Sequence, residues 1–280
     1  MYLEEMRRAL LLMIAACRGS ATAPAAGADA GSLVMTTAPE LEPAPKPAPA
    51  PPASTAPPRP ELCAFYTCTT EASAIRLPDG TSVVWDDGKT KTMQERIDHP
   101  DVEDVFVLHY PAPGAAIEPV TDPEIDPGRV RLEPLFRATY GADARAVSAA
   151  MVPVKIAGHT VSFHRRAAPA LERVATRIAA LLAKQPELAR YFQSLGGTFN
   201  PRNIAGTDHA SAHSWAIAID IDPAFSDYWR NGPPPPKWKN RVPQAIVDAF
   251  EAEAFVWGGR WFHYDTMHFE YRPELFPALR

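Results

Sequence analysis

The pattern of apolar and polar positions predicts helices and short strands in the C-terminal half of the chain. Apolar residues recur every three or four positions over residues 171–182, just after Pro169, which is the spacing of one buried helix face. A second amphipathic helix is predicted over residues 243–254. Between the two, residues 215–221 alternate with period two, as a half-buried strand does.

The pattern is more irregular over residues 61–165. Short strands are predicted over Ser82–Trp85 and Val105–Leu108, separated by turn-rich pieces. No catalytic pattern is visible in this segment, which we interpret as an N-terminal accessory region. It is either a separate module or an elaboration packed on residues 166–280, and the second is favoured because no linker separates them. The predicted fold is α+β, a small antiparallel sheet with flanking helices, preceded by an irregular strand-containing N-terminal extension.

The first residues have the form of an export signal. Residues 6–8 form a basic start, residues 9–16 are a short apolar run, and Cys17 follows small residues. The run is far shorter than the ~20 residues that span a bilayer. Residues 1–17 are therefore predicted to be a lipoprotein-type signal peptide with Cys17 as the lipidation site. An ordinary signal and a cytosolic amphipathic start are the alternatives.

Residues 18–60 are rich in alanine and proline. Such a tract buries no core and favours extended conformations, so it is predicted to be a disordered linker. A tether that lets an anchored protein reach the cell wall and a spacer of no selected length are both compatible with it.

Two cysteines remain once Cys17 is set aside. Cys63 and Cys68 are close in sequence and are expected to form a small-loop disulfide in an oxidising periplasm. Free thiols are the alternative, since nothing around them indicates a nucleophile or a cysteine-rich metal site.

The C-terminal region carries residues typical of a metal site. His213, Asp220 and His268 are three zinc-ligand types, and a tetrahedral Zn²⁺ with three protein ligands keeps one position for water. Asp265 offers a further carboxylate that can take a proton from that water. Each residue alone has a simpler interpretation, such as a surface or core histidine or a turn cap. Their combination predicts one zinc ion per chain and a hydrolase.

The predicted strands set conditions on this site. Asp220 shares its strand face with small residues, whereas His213 must lie in the turn that enters the strand. His268 and Glu270 share a face, and Asp265 precedes their strand in a loop. Glu270 and Ser211 are expected to contact the ligand residues from behind rather than to act on substrate.

Three motifs are familiar in combination. They read S-x-H-x-x-A-x-A-x-D over residues 211–220, W-G-G-x-W over residues 257–261 and D-x-x-H-F-E over residues 265–270. This arrangement resembles the zinc D-alanyl-D-alanine carboxypeptidase family and its L-alanyl-D-glutamate endopeptidase branch, peptidoglycan metallopeptidases. The resemblance covers residues 190–275, about a third of the chain.

The resemblance implies roles for individual residues. His213, Asp220 and His268 would bind zinc, and Asp265 would be the general base. An aspartate as base is more similar to the endopeptidase branch. The family also has an arginine ahead of the first histidine, and this position corresponds to Arg202, which would bind a substrate carboxylate and stabilise the oxyanion.

Two further expectations concern the cleft. Trp215 and Trp261 are candidates to line it, although buried core aromatics are the default interpretation of tryptophans so placed. The family has glycine at the position of Ala216, which we place on the strand face of Asp220. Glycine there indicates a close approach, so the extra methyl group is expected to tune the site rather than to inactivate it.

The predicted function is hydrolysis of peptide bonds in peptidoglycan stem peptides, of the D-Ala-D-Ala carboxypeptidase or L-Ala-D-Glu endopeptidase type. The alternative is a non-catalytic zinc-containing cell-wall-binding lipoprotein. A net charge of −5 without a dense basic run argues against nucleic acid. We expect an exported monomer in the periplasm, anchored at the cell envelope only through lipid.

Overall fold

The computed structural model describes residues 61–276, and the predicted signal, lipidation site and linker lie outside them. The helices are α1 (Leu62–Phe65), α2 (Met93–Asp98), α3 (Asp104–Val107), α4 (Glu133–Tyr140), α5 (Ala144–Ala149), α6 (Ala168–Lys184) and α7 (Gln244–Glu251). The strands are β1 (Thr69–Thr70), β2 (Ala74–Arg76), β3 (Ser82–Val84), β4 (Met151–Ile156), β5 (His159–His164), β6 (Ala218–Asp220), β7 (Phe255–Trp257) and β8 (His268–Tyr271). Short 3₁₀ turns connect many of them.

The two predicted C-terminal helices are confirmed. Helix α6 has a proline in its first turn and buries the predicted apolar face, including Leu171, Val174 and Ile178. Helix α7 starts after Pro243 and buries one face of its two turns. The mixture of helices and antiparallel strands confirms the α+β class.

The strand predicted over Val105–Leu108 is wrong, because residues 104–107 form helix α3. The Asp101 carboxylate accepts a hydrogen bond from the Asp104 amide, which ties down the first turn. Lys91 in turn neutralises both buried carboxylates. A charged cluster thus overrides the β-propensity of this apolar run.

The strand predicted over residues 215–221 is also wrong in its first half. Residues Ala212–Trp215 form a 3₁₀ turn, and Ala216 follows in the left-handed conformation with φ +53°. Ile217 and Ile219 have no exposed surface, and neither do Ala216 and Ala218. An alternation with period two indicates a strand when one face is buried and the other is exposed. Both faces are buried here, so the alternation does not distinguish a strand from a turn.

Three small antiparallel sheets make up the β structure of the described residues. One has the order β1-β2-β3, a hairpin joins β4 to β5, and the third has the order β6-β8-β7. In the third sheet, β8 is central and pairs Asp220 with His268 and Ala218 with Glu270. This register places a carboxylate and an imidazole directly opposite each other, so this sheet positions the candidate site.

The two sides of the predicted boundary at residue 165 share one hydrophobic cluster. Phe136 of α4 packs edge-on against Trp215, with ring centroids 5.1 Å apart. The buried Arg272 guanidinium donates to the carbonyls of Gly128 and Val130. The assignment of residues 61–165 and 166–280 as separate domains stays a prediction.

Two further features concern the predicted setting of the chain. Cys63 and Cys68 are joined by a disulfide, which links the first turn of α1 to the residue before β1. Within residues 61–276, no helix is both long enough and apolar enough to span a bilayer.

Candidate active site

Asp220 and His268 face each other because β6 and β8 are antiparallel neighbours. The Asp220 Oδ1 and His268 Nδ1 atoms are 3.1 Å apart. The backbone of Gly196 and Gly197 exchanges hydrogen bonds with Asp220 on the open side of β6. A Cβ at Gly196 would lie 2.8 Å from the Asp220 Cβ, so only glycine allows this approach.

His213 reaches the same point from the 3₁₀ turn before β6, as its odd spacing from Asp220 requires. The Asn200 amide donates to the His213 carbonyl and fixes this turn against the preceding loop. The His213 Nε2 atom is 3.1 Å from Asp220 Oδ1 and 3.2 Å from His268 Nδ1. The three side-chain atoms therefore form a nearly equilateral triangle.

The partners of the two imidazoles assign their tautomers. His268 Nε2 faces the Glu270 carboxylate, which can only accept, so this nitrogen carries the proton. His213 Nδ1 faces the Thr198 carbonyl at 3.4 Å and likewise donates. In the neutral rings, the nitrogens left for the triangle carry lone pairs and lie beside a carboxylate oxygen. Three lone pairs that converge in this way call for a cation at the centre.

Charge effects point the same way. Burial opposes ionisation of Asp220, but the imidazoles of His213 and His268 in contact with its carboxylate bring its pKa well below the usual range. Burial also opposes a charged His268, but the Asp220 and Glu270 carboxylates raise its pKa above the usual range. The triangle is thus a point of negative potential that favours bound positive charge.

The donor set fits zinc. Tetrahedral zinc with ligand distances of about 2.0–2.1 Å has its ligand atoms about 3.3 Å apart, close to the distances in this triangle. Two imidazoles and a carboxylate leave one coordination position for water or substrate. Glu270 behind His268 supplies the outer carboxylate that commonly orients such a ligand.

Asp265 lies beside the triangle in the loop before β8. Its amide donates to the Gly258 carbonyl, and its own carbonyl accepts from the His268 amide. A Cβ at Gly258 would lie 2.4 Å from the Asp265 carbonyl oxygen, which explains a glycine in the W-G-G-x-W motif. The Asp265 Oδ1 atom is shielded from solvent and has no hydrogen-bond partner within residues 61–276.

The Asp265 carboxyl has a strongly altered acidity. Burial and the negative charge of Asp220 raise its pKa to about 7, although His268, a hydrogen bond from the Met267 backbone and Arg202 oppose the rise. A carboxyl group with this pKa both takes up and releases a proton near neutral pH. Asp265 therefore has the properties of a general acid–base group.

Glu270 belongs to a buried ion-pair network behind the triangle. It accepts hydrogen bonds from two nitrogens of Arg131, and Arg272 lies 3.5 Å away. Burial would raise the pKa of Glu270, but the positive charge of Arg131 outweighs it and keeps the carboxylate ionised. Arg131 carries no sequence signal for this role, since it lies 139 positions from its partner.

The triangle opens into a cavity of about 100 Å³. Arg202, Trp261 and Ser211 lie in its wall with the triangle residues and Asp265. Trp215 does not line this cavity, because its ring is buried against Phe136. The structure thus brings all the predicted site residues of this region to the cavity or directly behind it, except Trp215.

Several cavity residues were not predicted from the sequence. Arg129 and Arg131 come from the segment in which no catalytic pattern is visible, and Trp229 and Arg230 come from the loop after β6. His263 also lines the cavity. A signal for His263 existed, because it lies two positions before Asp265.

A comparison with known protein families identifies this region. Residues 205–271 match the family model of D-alanyl-D-alanine carboxypeptidases. The match confirms the resemblance predicted from the sequence and supports a peptidase. It contains the three triangle residues and Asp265, whereas Arg202 and the N-terminal wall residues lie outside it. No curated protein and no solved structure matches the chain.

Proposed function

We propose that this chain is a zinc metallopeptidase that hydrolyses peptide bonds in peptidoglycan stem peptides. The observation that carries the proposal is the convergence of three lone-pair ligand atoms beside a shielded carboxyl group. The match to D-alanyl-D-alanine carboxypeptidases supports a peptidase, and the cell-wall substrate rests on that family. The bond cut is a terminal D-Ala-D-Ala bond or an internal L-Ala-D-Glu bond.

His213, Asp220 and His268 would hold one Zn²⁺ per chain through Nε2, Oδ1 and Nδ1 respectively. When bound, zinc lowers the pKa of water from about 15.7 to about 7 and polarises a carbonyl group. Glu270 keeps the His268 Nε2 proton on the outer side, which leaves Nδ1 free for the ion.

Asp265 would act as the general base on the attacking water. Its Oδ1 atom has no partner to displace, and its raised pKa matches a group that takes up a proton near pH 7. The ionised form is the one that accepts the proton, so activity should need a pH near or above the pKa of this carboxyl group.

Arg202 and Trp261 would bind the substrate. The Arg202 side chain makes no ion pair within residues 61–276, so its guanidinium is free to bind a peptide carboxylate in a bidentate manner. Trp261 is fixed by a hydrogen bond from its indole nitrogen to the Pro127 carbonyl, and offers a rigid wall beside His268.

The proposed setting of the enzyme follows from its substrate. Export through residues 1–17, lipidation at Cys17 and a tether over residues 18–60 would hold residues 61–280 near the wall in the periplasm. The sequence pattern supports these assignments, and so does a proposed substrate that lies outside the cytoplasm.

The test measures zinc content and sacculus digestion side by side for the protein and its His268→Ala variant. About one zinc per chain and peptide fragments released only by the parent are the expected results. The fragment masses identify the bond. Zinc binding without any product would instead support a wall-binding lipoprotein. A parent that binds no zinc would refute the proposal.

A further inference from the structure

A second histidine in the cavity wall is paired with a fully buried carboxylate. The His263 Nδ1 atom is 2.7 Å from Asp126 Oδ2, and the His263 amide donates to Asp126 Oδ1. Asp126 has no exposed surface, whereas the His263 side chain keeps 27% of its surface exposed and lines the cavity. The pair therefore connects the protein interior to the space beside the triangle.

His263 and Asp265 are two positions apart in the loop before β8, and both line the cavity. Tyr264 between them is buried, and its carbonyl accepts from the Trp229 amide while its hydroxyl donates to the Lys237 carbonyl. Residues two positions apart have their Cα atoms at most about 7 Å apart. In a cavity of about 100 Å³, a group bound next to Asp265 is also within reach of the imidazole.

The contact with Asp126 determines which nitrogen faces the cavity. Because a carboxylate only accepts, Nδ1 carries a proton and Nε2 is the nitrogen left for substrate. Within residues 61–276 no protein group hydrogen-bonds to Nε2. The Trp229 ring stands edge-on to the imidazole at 4.9 Å and restricts its rotation. Arg129 contacts the same Asp126 oxygen and holds that carboxylate in place.

We propose that His263, held by Asp126, donates a proton from Nε2 to the leaving nitrogen of the cleaved peptide bond. The proposal rests on the proposed function and assigns its second proton transfer. Water oxygen bonds to the carbonyl carbon, and Asp265 takes one water proton. As the C–N bond breaks, its electron pair stays on nitrogen, which takes the His263 proton. The proton on Asp265 then returns to His263 through solvent, so one water is consumed for each bond cut.

Asp126 is a positioning residue in this scheme. Its negative charge stabilises the positively charged imidazole that donates, and its geometry keeps Nε2 towards the cavity. The same oxygen atoms also tie the turn at residues 126–129 to His263, so the test must separate catalysis from folding.

A second histidine–aspartate pair in the chain serves as a control. His209 Nε2 lies 2.9 Å from Asp98 Oδ1, but the Asp98 side chain is exposed and His209 does not line the cavity of the triangle. His209→Asn removes an imidazole from an equivalent contact without touching the proposed chemistry. We expect this variant to have the activity of the parent.

The experiment compares an amide substrate with its ester analogue, in which oxygen replaces the leaving nitrogen. An alkoxide leaves with less help from a proton donor than an amide nitrogen does. His263→Asn keeps a donor for Asp126 but lacks Nε2. We expect its kcat on the amide to fall on the order of 10²–10⁴-fold at unchanged KM, with a far smaller loss on the ester.

The other outcomes overturn the proposal in distinct ways. Equal losses on both substrates would indicate a structural role, and a raised KM at unchanged kcat would indicate substrate binding. A parent inactive on both substrates would refute the proposed function itself. In that case nuclear magnetic resonance of ¹⁵N-histidine-labelled protein still tests the pair. A protected Nδ1 proton of His263 is expected in the parent and in Asp126→Glu, but not in Asp126→Asn, and its absence from the parent would refute the pairing.

Discussion

Two groups of buried charges meet along one face of strand β8 and solve the same problem in opposite ways. One is an inner group around Glu270 and Arg272, and the other is a cavity group around Asp220 and His268. In the inner group, every charge has a partner. Glu270 accepts from two nitrogens of Arg131, and Arg272 donates to Glu274 and to two backbone carbonyls. In the cavity group, Asp220, two histidines and Asp265 converge, and the Asp265 Oδ1 atom has no hydrogen-bond partner among residues 61–276.

This difference separates a structural group from a functional one. Burial of a charge is costly unless the protein compensates it, and the inner network does so completely. The cavity group leaves the Asp265 Oδ1 atom uncompensated, and under the proposed function metal and substrate complete this group. Substitutions in the cavity group should therefore lower mainly activity, and substitutions in the inner group mainly stability.

The largest effect is expected for Asp265→Asn in the cavity group. Loss of the base should lower turnover of sacculi on the order of 10²–10⁴-fold. The free energy of unfolding at pH 7.5 should not fall, because burial already disfavours the ionised carboxyl group that is removed. Rates of fragment release and urea denaturation measure the two quantities.

Asp227→Asn is the matched control for this prediction. Asp227 lies in the loop that packs on the same segment, and its carboxylate pairs with the half-exposed Arg241. It should keep parental turnover. An Asp265→Asn variant that digests sacculi at the parental rate would show that Asp265 takes no part in the chemistry. It would also remove the contrast between the cavity group and the inner group.

Glu270→Ala should have the next largest effect, and mainly on stability. It leaves Arg131 and Arg272 buried without their carboxylate, which typically costs about 3–5 kcal/mol of unfolding free energy. Loss of the contact to His268 should also weaken zinc binding by about 10–100-fold. Urea denaturation and zinc titration measure these changes.

Glu253→Ala provides the comparison for Glu270. Glu253 also accepts from two arginines, Arg173 and Arg177, but their side chains are more than half exposed and return to water when the pair is lost. We expect a loss below about 1 kcal/mol. Equal losses in both variants would mean that burial of the partners does not determine the cost.

The same contrast explains what the sequence predicts well. His213, Asp220, Asp265 and His268 lie in short motifs whose spacing follows from a turn, a strand pair and a loop, so local patterns place them close together. The helices α6 and α7 follow from their apolar periodicity for the same reason. Local rules suffice where the site is built from one small sheet.

Contacts between distant segments are not visible in such patterns. Arg131 reaches Glu270 and Asp126 reaches His263 across more than 130 positions, and nothing in the local sequence of residues 126–131 indicates either contact. Helix α3 and the turn before β6 show the other limit. There a charged cluster and complete burial override the apolar alternation on which strand prediction depends.

His164 is a third kind of buried titratable group, because it stays uncharged in the folded protein at neutral pH. Burial lowers its pKa to about 4, and its Nδ1 accepts from the Arg166 amide. The unfolded chain, with a histidine pKa near 6.5, binds more protons below that pH. The stability from neutral His164 is therefore complete above pH 6.5 and is lost as pH falls towards 4, by about 3 kcal/mol in total.

His164→Gln should flatten the dependence of unfolding free energy on pH between 6.5 and 4, measured by urea denaturation at several pH values. His159→Gln, on the same strand, is the matched control for removal of a histidine from this hairpin. An unchanged slope in His164→Gln would show that His164 titrates alike in the folded and unfolded chains.

The smallest effect is expected at Ala216, in the turn between His213 and β6. Its φ of +53° shows that the family glycine is explained by a left-handed turn between His213 and β6, and not by the strand position predicted for it. A left-handed alanine costs about 1–2 kcal/mol, part of which glycine returns as flexibility of the unfolded chain. Ala216→Gly should therefore raise the unfolding free energy by about 0.5–1 kcal/mol at unchanged kcat. Ala157→Gly, left-handed in the β4–β5 turn, should do the same far from the site. A changed kcat in Ala216→Gly alone would mean that the methyl group alters the ligand triangle as well as the turn.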